Sequence, residues 1–199
     1  MQRSSTYDFV WLRDRLPKDM SSIRPIIYGY DTELVKSESI QTIEDLASSF
    51  IASLRSIVRP SLSAKPLVIL AHSLGGILLK SALTQMAGSD EKDRAILGSI
   101  KLTFFFGVPS KGMHLSHLLP MVDGQPNSDL IQLLSPDSEY LSSLNQRFSN
   151  IATLHNIRLM SAYETKLSPT TKAGLTFATL FTASQVDVSL DIRGRHLGT

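Results

Sequence analysis

Short apolar runs bounded by turn residues recur along the chain at Arg24–Tyr30, Pro66–Ser73, Ile100–Val108 and His155–Tyr163, each rich in Ile, Leu, Val or Phe. Runs of this length without a polar alternation predict strands covered on both faces. Between the first two, Ile43, Leu46, Ala47, Phe50, Ile51, Leu54, Ile57 and Val58 repeat at i, i+3, i+4 and i+7, the spacing of an amphipathic helix, with Thr42 and Asp45 placed as a cap pair at its start. A second helix is predicted directly after Ser73, burying Ile77, Leu78, Ala82, Leu83 and Met86 and stopping at Gly88-Ser89-Asp90. Further helices are predicted at Leu115–Leu119, Ser128–Leu134 and Pro136–Phe148. Strands alternating with helices specify an α/β fold, a mostly parallel sheet flanked by helices.

From Leu167 to Thr199 the patterning is poor, and only Leu175–Phe181 and Val186–Leu190 offer weak strand-like runs. There is no internal repeat, linker or composition step, and 199 residues suit one domain, 1–199, better than two. Hydrophobic residues at 42% and charged ones at 19% are ordinary for a folding globular chain. A formal charge of +2 without runs of like charge gives no reason to expect nucleic acid or an anionic membrane as the main partner. The absence of cysteine excludes disulfides, thiolate-bound metals and a thiol nucleophile. No signal-peptide core and no transmembrane segment are evident, so the expected location is cytoplasmic. The oligomeric state is not legible.

The chemistry concentrates where the second apolar run ends, in "LVILAHSLGGILLK". Ala71-His72-Ser73-Leu74-Gly75 fits the nucleophile elbow Gly-x-Ser-x-Gly with alanine first. That sharp strand-to-helix turn needs small residues two positions either side of the serine, which Ala71 and Gly75 supply, with Gly76 following. The helix behind Ser73 would aim the Leu74 N–H and its positive end at an oxyanion formed on the serine. The plain alternative is a serine that merely caps a helix.

A serine hydroxyl needs a base and an orienting carboxylate, which on this architecture follow in the order Ser, acid, His. Glu164 ends the His155–Tyr163 run at the same edge of the sheet, and His196 is the histidine downstream of it, close to the chain end. An ordinary loop glutamate and a frayed terminal histidine are the bland alternatives. His72 is expected to pack beside the elbow, and Pro109 and Gly112 in "FFFGVPSKG" to shape a pocket-lining turn. Gly76 to Ser81 contains Lys-Ser but lacks the spacing of a phosphate-binding loop.

"FVWLRDRLPKDM", "IIYGYDTEL", "LVILAHSLGGILLKSAL", "LTFFFGVPSKG", "YLSSLNQRFSN" and "MSAYETK" together resemble the lipase/esterase-like α/β-hydrolases of the serine-active-site-containing family, over about Phe9 to Lys166. Such proteins are widespread in fungi, often preceding NACHT or ankyrin regions, and are distantly similar to the inositol deacylases of GPI anchors. The resemblance implies an α/β-hydrolase fold and Ser–acid–His attack on a small-molecule or lipid ester, with no metal or organic cofactor. It also implies a first strand ending in a His-Gly-Leu-Gly-Gly-like loop, so the chain is expected to lack the first strand or strands and to be incomplete at both ends. Val188-Ser189-Leu190-Asp191 is similar to the family's strand before its Asp-His-Arg segment, which would put the histidine near Gly194, offset from His196. A hydrolase-fold module that has lost catalysis and serves recognition or regulation in a larger assembly is the alternative reading.

Overall fold

The computed structural model describes residues 9–31, 38–58, 65–116, 118–164 and 186–189. The chain divides into two units, Met1–Tyr30 and Asp31–Thr199. The described part of the first unit holds two single-turn helices, α1 (Trp11–Asp14) and α2 (Leu16–Asp19). Pro17 lies in the first turn of α2, where its missing N–H costs nothing. Arg24–Tyr30 forms no strand, and Ile26 and Ile27 are exposed. The reading of that run as a doubly covered strand is therefore corrected. An apolar run becomes a strand only where a neighbouring strand takes its backbone hydrogen bonds, and the four-stranded sheet of the described residues does not include this run.

The second unit runs α3 (Ile43–Ile57), β1 (Leu67–His72), α4 (Leu74–Ala87), α5 (Glu91–Ser99), β2 (Ile100–Phe106), α6 (Leu119–Val122), α7 (Ser128–Gln132), α8 (Glu139–Leu154), β3 (Arg158–Glu164) and β4 (Val186–Ser189). The sheet order is β1-β2-β3-β4. The first three strands are parallel, and β4 returns antiparallel to β3. The carboxyl ends of β1, β2 and β3 thus lie along one edge, where loops and helix starts gather.

Helix α3 begins with a reciprocal capping box, in which Thr42 Oγ1 accepts from Asp45 N–H and the Asp45 carboxylate accepts from Thr42 N–H. Its buried stripe, Ile43, Leu46, Ala47, Ile51 and Leu54, is the one the periodicity marks. Helix α4 is buried nearly all round and packs against α3 and α8. Helix α5 falls where no helix was predicted. Asp90 caps it by accepting from Asp93 N–H at 2.9 Å. Asp93, 1% exposed, receives two 2.6 Å hydrogen bonds from Arg55 and so ties α5 to α3.

Helix α8 starts later than predicted. Asp137 takes φ 61°, which breaks any helix begun at Pro136, and Ser138 then caps by accepting from Leu141 N–H. The helix runs on to Leu154. Likewise, the helix expected at Leu115–Leu119 forms only as the single turn α6.

Strand β1 also departs from expectation. Ala71 is buried, but Val68 at 56% and Leu70 at 49% exposure show that the opposite face is open rather than covered. The weak run at Val186–Leu190 does produce β4, while Leu175–Phe181 lies outside the described residues.

Candidate active site

At the carboxyl end of β1 the backbone turns within a single residue. Ser73 has φ 51° and ψ −128°, and α4 starts at Leu74. Asp137 and Asn156 are the other non-glycine residues with positive φ among those described, and their side chains tolerate the left-handed region. Ser73 lies outside that region as well, in conformations normally left to glycine, so the bend carries strain of about 1–3 kcal/mol. It is held there from both sides. Ser73 N–H donates to Phe106 O at 2.9 Å across the parallel pair, and Gly76 N–H donates to Ser73 O at 2.9 Å.

The close packing around the bend explains the small residues. A Cβ added to Gly76 would overlap the Val108 side chain in the loop after β2. Gly75 occupies the first turn of α4 half-buried, Ala71 is 8% exposed, and Leu74 is 4% exposed. As the first residues of α4, Leu74 and Gly75 have no carbonyl one turn behind them to take their N–H groups.

Ser73 does not cap α4. Its side chain makes no capping hydrogen bond, and its Oγ is buried without any hydrogen-bond partner among the described residues. A buried hydroxyl left unpaired costs about 1–3 kcal/mol, which a serine with a capping role would avoid.

The neighbouring strands bring further predicted residues to this edge. His72 pairs with Phe106 in the sheet, immediately before the bend, and is exposed. Gly107 N–H donates to Ala162 O at 2.9 Å, so the loop carrying Pro109 leaves β2 directly beside the Ser73 bend. Glu164 is the last residue of β3, with its backbone at the same edge, paired with Val186 of β4. His196, like Gly194, lies outside the described residues. His155 caps the end of α8 ahead of β3, and so sits at the opposite edge of the sheet.

One buried group was not anticipated as part of this region. Lys80 on α4 is 6% exposed, and its Nζ donates to Ser110 Oγ at 2.6 Å and to Asn145 Oδ1 at 2.7 Å. Burial pulls its ammonium down to about 8. The signal was available, because position 80 follows Ile77 by three and precedes Leu83 by three, which puts it on the buried stripe of α4.

Among the described residues no group of three or more His, Cys, Asp or Glu could hold a metal ion, and no helix is long and apolar enough to cross a membrane.

Protein SERAC1 of Bos taurus is 27% identical over 169 residues, covering 80% of this chain and 25% of its own length. Protein SERAC1 of Homo sapiens is 25% identical over 175 residues, covering 83% of this chain and 26% of its own. For Danio rerio the identity is 26% over 171 residues, with 80% and 25% covered. The likeness is distant but runs through most of the chain. The chain spans about a quarter of the length of these curated relatives. No family model matches, and no solved structure matches. The relationship to Protein SERAC1 does not itself place the chain among fungal lipases or esterases.

Proposed function

We propose that this chain is a serine hydrolase of the lipase/esterase-like class, acting on carboxylic esters. In this reading Ser73 Oγ attacks the ester carbonyl carbon and gives its proton to a histidine. Leu74 N–H, at the positive end of α4, donates to the resulting oxyanion. Collapse of the intermediate expels the alcohol, which takes the proton from the histidine. Water, deprotonated by the same histidine, then releases the acid and restores Ser73. Glu164 orients the histidine, for which His196 is the downstream candidate. His72, Ala71, Gly75, Gly76 and Pro109 shape the corner and its surroundings.

The observation that carries the reading is the strained bend at Ser73 with its unpaired oxygen. A residue that only joined a strand to a helix would relax to ordinary dihedrals or cap the helix. Strain kept at a single hydroxyl-bearing residue, on the edge of the sheet where α/β proteins gather their ligands, is what nucleophilic chemistry requires. The burial of that oxygen favours a second reading, a hydrolase-fold module that no longer turns over and serves in recognition.

Labelling by a fluorophosphonate probe separates the two. The catalytic reading expects covalent modification mapped to Ser73 and abolished in Ser73→Ala. A folded chain that takes no label, or takes it equally with alanine at this position, selects the binding module.

A further inference from the structure

Lys80 is a cation buried with no carboxylate among the described residues to pair with it, an arrangement that lowers stability unless its donors find partners. Two of its three N–H donors are hydrogen-bonded, and the ammonium also faces two aromatic rings. The bonds go to Ser110 Oγ and Asn145 Oδ1, and the Nζ stands 5.2 Å from the Phe105 ring centroid and 5.7 Å from that of Phe148. Those rings meet edge to face at 85°, closing an aromatic corner around the ammonium. Asn145 completes the circuit by donating from Nδ2 to Ser110 O at 2.5 Å. Ser110 is thus gripped by its hydroxyl from α4 and by its carbonyl from α8.

What is gripped is the loop that leaves β2 beside Ser73. Val108 presses on Gly76 two residues before Ser110, and Met113 N–H donates to Leu134 O three residues after it. Lys80 lies on the same helix whose first turn forms the bend. The loop and the bend are therefore referenced to one rigid body, α4.

We infer that Lys80 is a positioning residue, which fixes the 107–113 loop against the Ser73 corner by holding Ser110 jointly with Asn145. The inference rests on the reading of Ser73 as nucleophile for its effect on reaction, while the clamp is a statement about the loop itself. A methionine at position 80 would pack as well and carry no charge. The lysine is accounted for by the direction of its hydrogen bonds, since satisfied buried networks specify one arrangement of the chain where apolar contacts allow several.

The test uses the full chain with Lys80→Met and Asn145→Ala, singly and together. Amide hydrogen exchange at Ser110, Gly112 and Met113 reads the clamp, and the fluorophosphonate labelling rate reads its consequence at Ser73. Each single variant is expected to speed exchange in the loop about tenfold or more while α3 keeps its protection. Each is also expected to slow labelling by roughly ten- to a hundredfold, as misplacement by about an ångström does, with the double variant no slower than the singles.

Because the chain contains no cysteine, Lys80→Cys can be aminoethylated while unfolded with 2-bromoethylamine. On refolding this restores an amine of lysine's length, and loop protection and labelling should return to within about threefold. A purely structural loss of packing would not be rescued by the amine over the unmodified cysteine. If Lys80→Met does not fold, Asn145→Ala and the cysteine pair decide the question.

Unchanged loop exchange in folded variants overturns the inference, as does label found on Ser110, which would make Lys80 an activating base. If the native chain takes no label but loop exchange rises in the variants, the hydrolase reading fails and the clamp stands.

Discussion

Replacing Gly76 by alanine tests whether the tight approach at the bend is real. The added Cβ would lie 2.7 Å from Val108 Cγ1 and 3.0 Å from Val108 Cβ, with Cγ2 nearer still. Rotating the valine cannot relieve this, because Val108 Cβ does not move with χ1. Either α4 or the loop after β2 must shift. Overpacking of this kind costs about 1–3 kcal/mol. Alanine in a helix gains up to about 1 kcal/mol over glycine. The net expectation is a loss of roughly 1–2 kcal/mol in unfolding free energy, read as a lower urea midpoint at unchanged slope. Val108→Ala removes the two methyl overlaps and leaves the 3.0 Å Cβ contact, so Gly76→Ala combined with Val108→Ala should recover most of the loss, with a favourable coupling of about 1 kcal/mol. A Gly76→Ala chain at least as stable as the native one, or additive effects in the pair, would refute the packing argument and with it the steric reason for the second glycine.

Ser73→Gly releases the backbone strain and removes the unpaired buried oxygen, offset in part by the greater freedom of unfolded glycine, so it should raise stability by about 1–2 kcal/mol while abolishing probe labelling; thermal and urea unfolding check it, and an unchanged or lower stability contradicts it. Arg55→Met strips the buried Asp93 of its bidentate partner and should lower the urea midpoint at neutral pH. The Arg55 guanidinium holds the Asp93 carboxyl below its ordinary value of 3.8, so that contribution is complete above the ordinary value and vanishes as pH falls through the lower folded one. Below pH about 4 the native chain should therefore lose stability faster than Arg55→Met, in urea titrations run across that range.

Much of the fold was legible because burial and periodicity coincide. The stripe of α3 and its Thr42–Asp45 box, the strand into Ser73 and the β2 run all appear where the pattern placed them. Some failures turn on contacts distant in sequence, while the late start of α8 turns on the local backbone at Asp137. Arg24–Tyr30 reads as a strand until pairing is required. The pattern marks no helix at Glu91–Ser99, which is short and polar and is held by the Asp90 cap and the reach of Arg55 to Asp93.

The corner at Ser73 was visible as a motif, but its strained dihedrals and unpaired oxygen were not, since only the arrival of Phe106 and the start of α4 fix them. Lys80 was the opposite case. Its position on the apolar stripe was plain, yet the partners that justify it come from a loop and a helix much later in the chain.

The parallel order of the sheet also sets when this corner can exist. Ser73 leans on the carbonyl of Phe106, and Gly107 beside it leans on Ala162, each reached only after a helical crossover. During synthesis the serine leaves the ribosome long before β3 does, as one residue of a segment with nothing yet to bend against. Any reactivity at this position therefore arrives late, once β2 and then β3 are in place, and a nascent chain stopped short of Phe106 should be chemically silent there however much helix it has already formed.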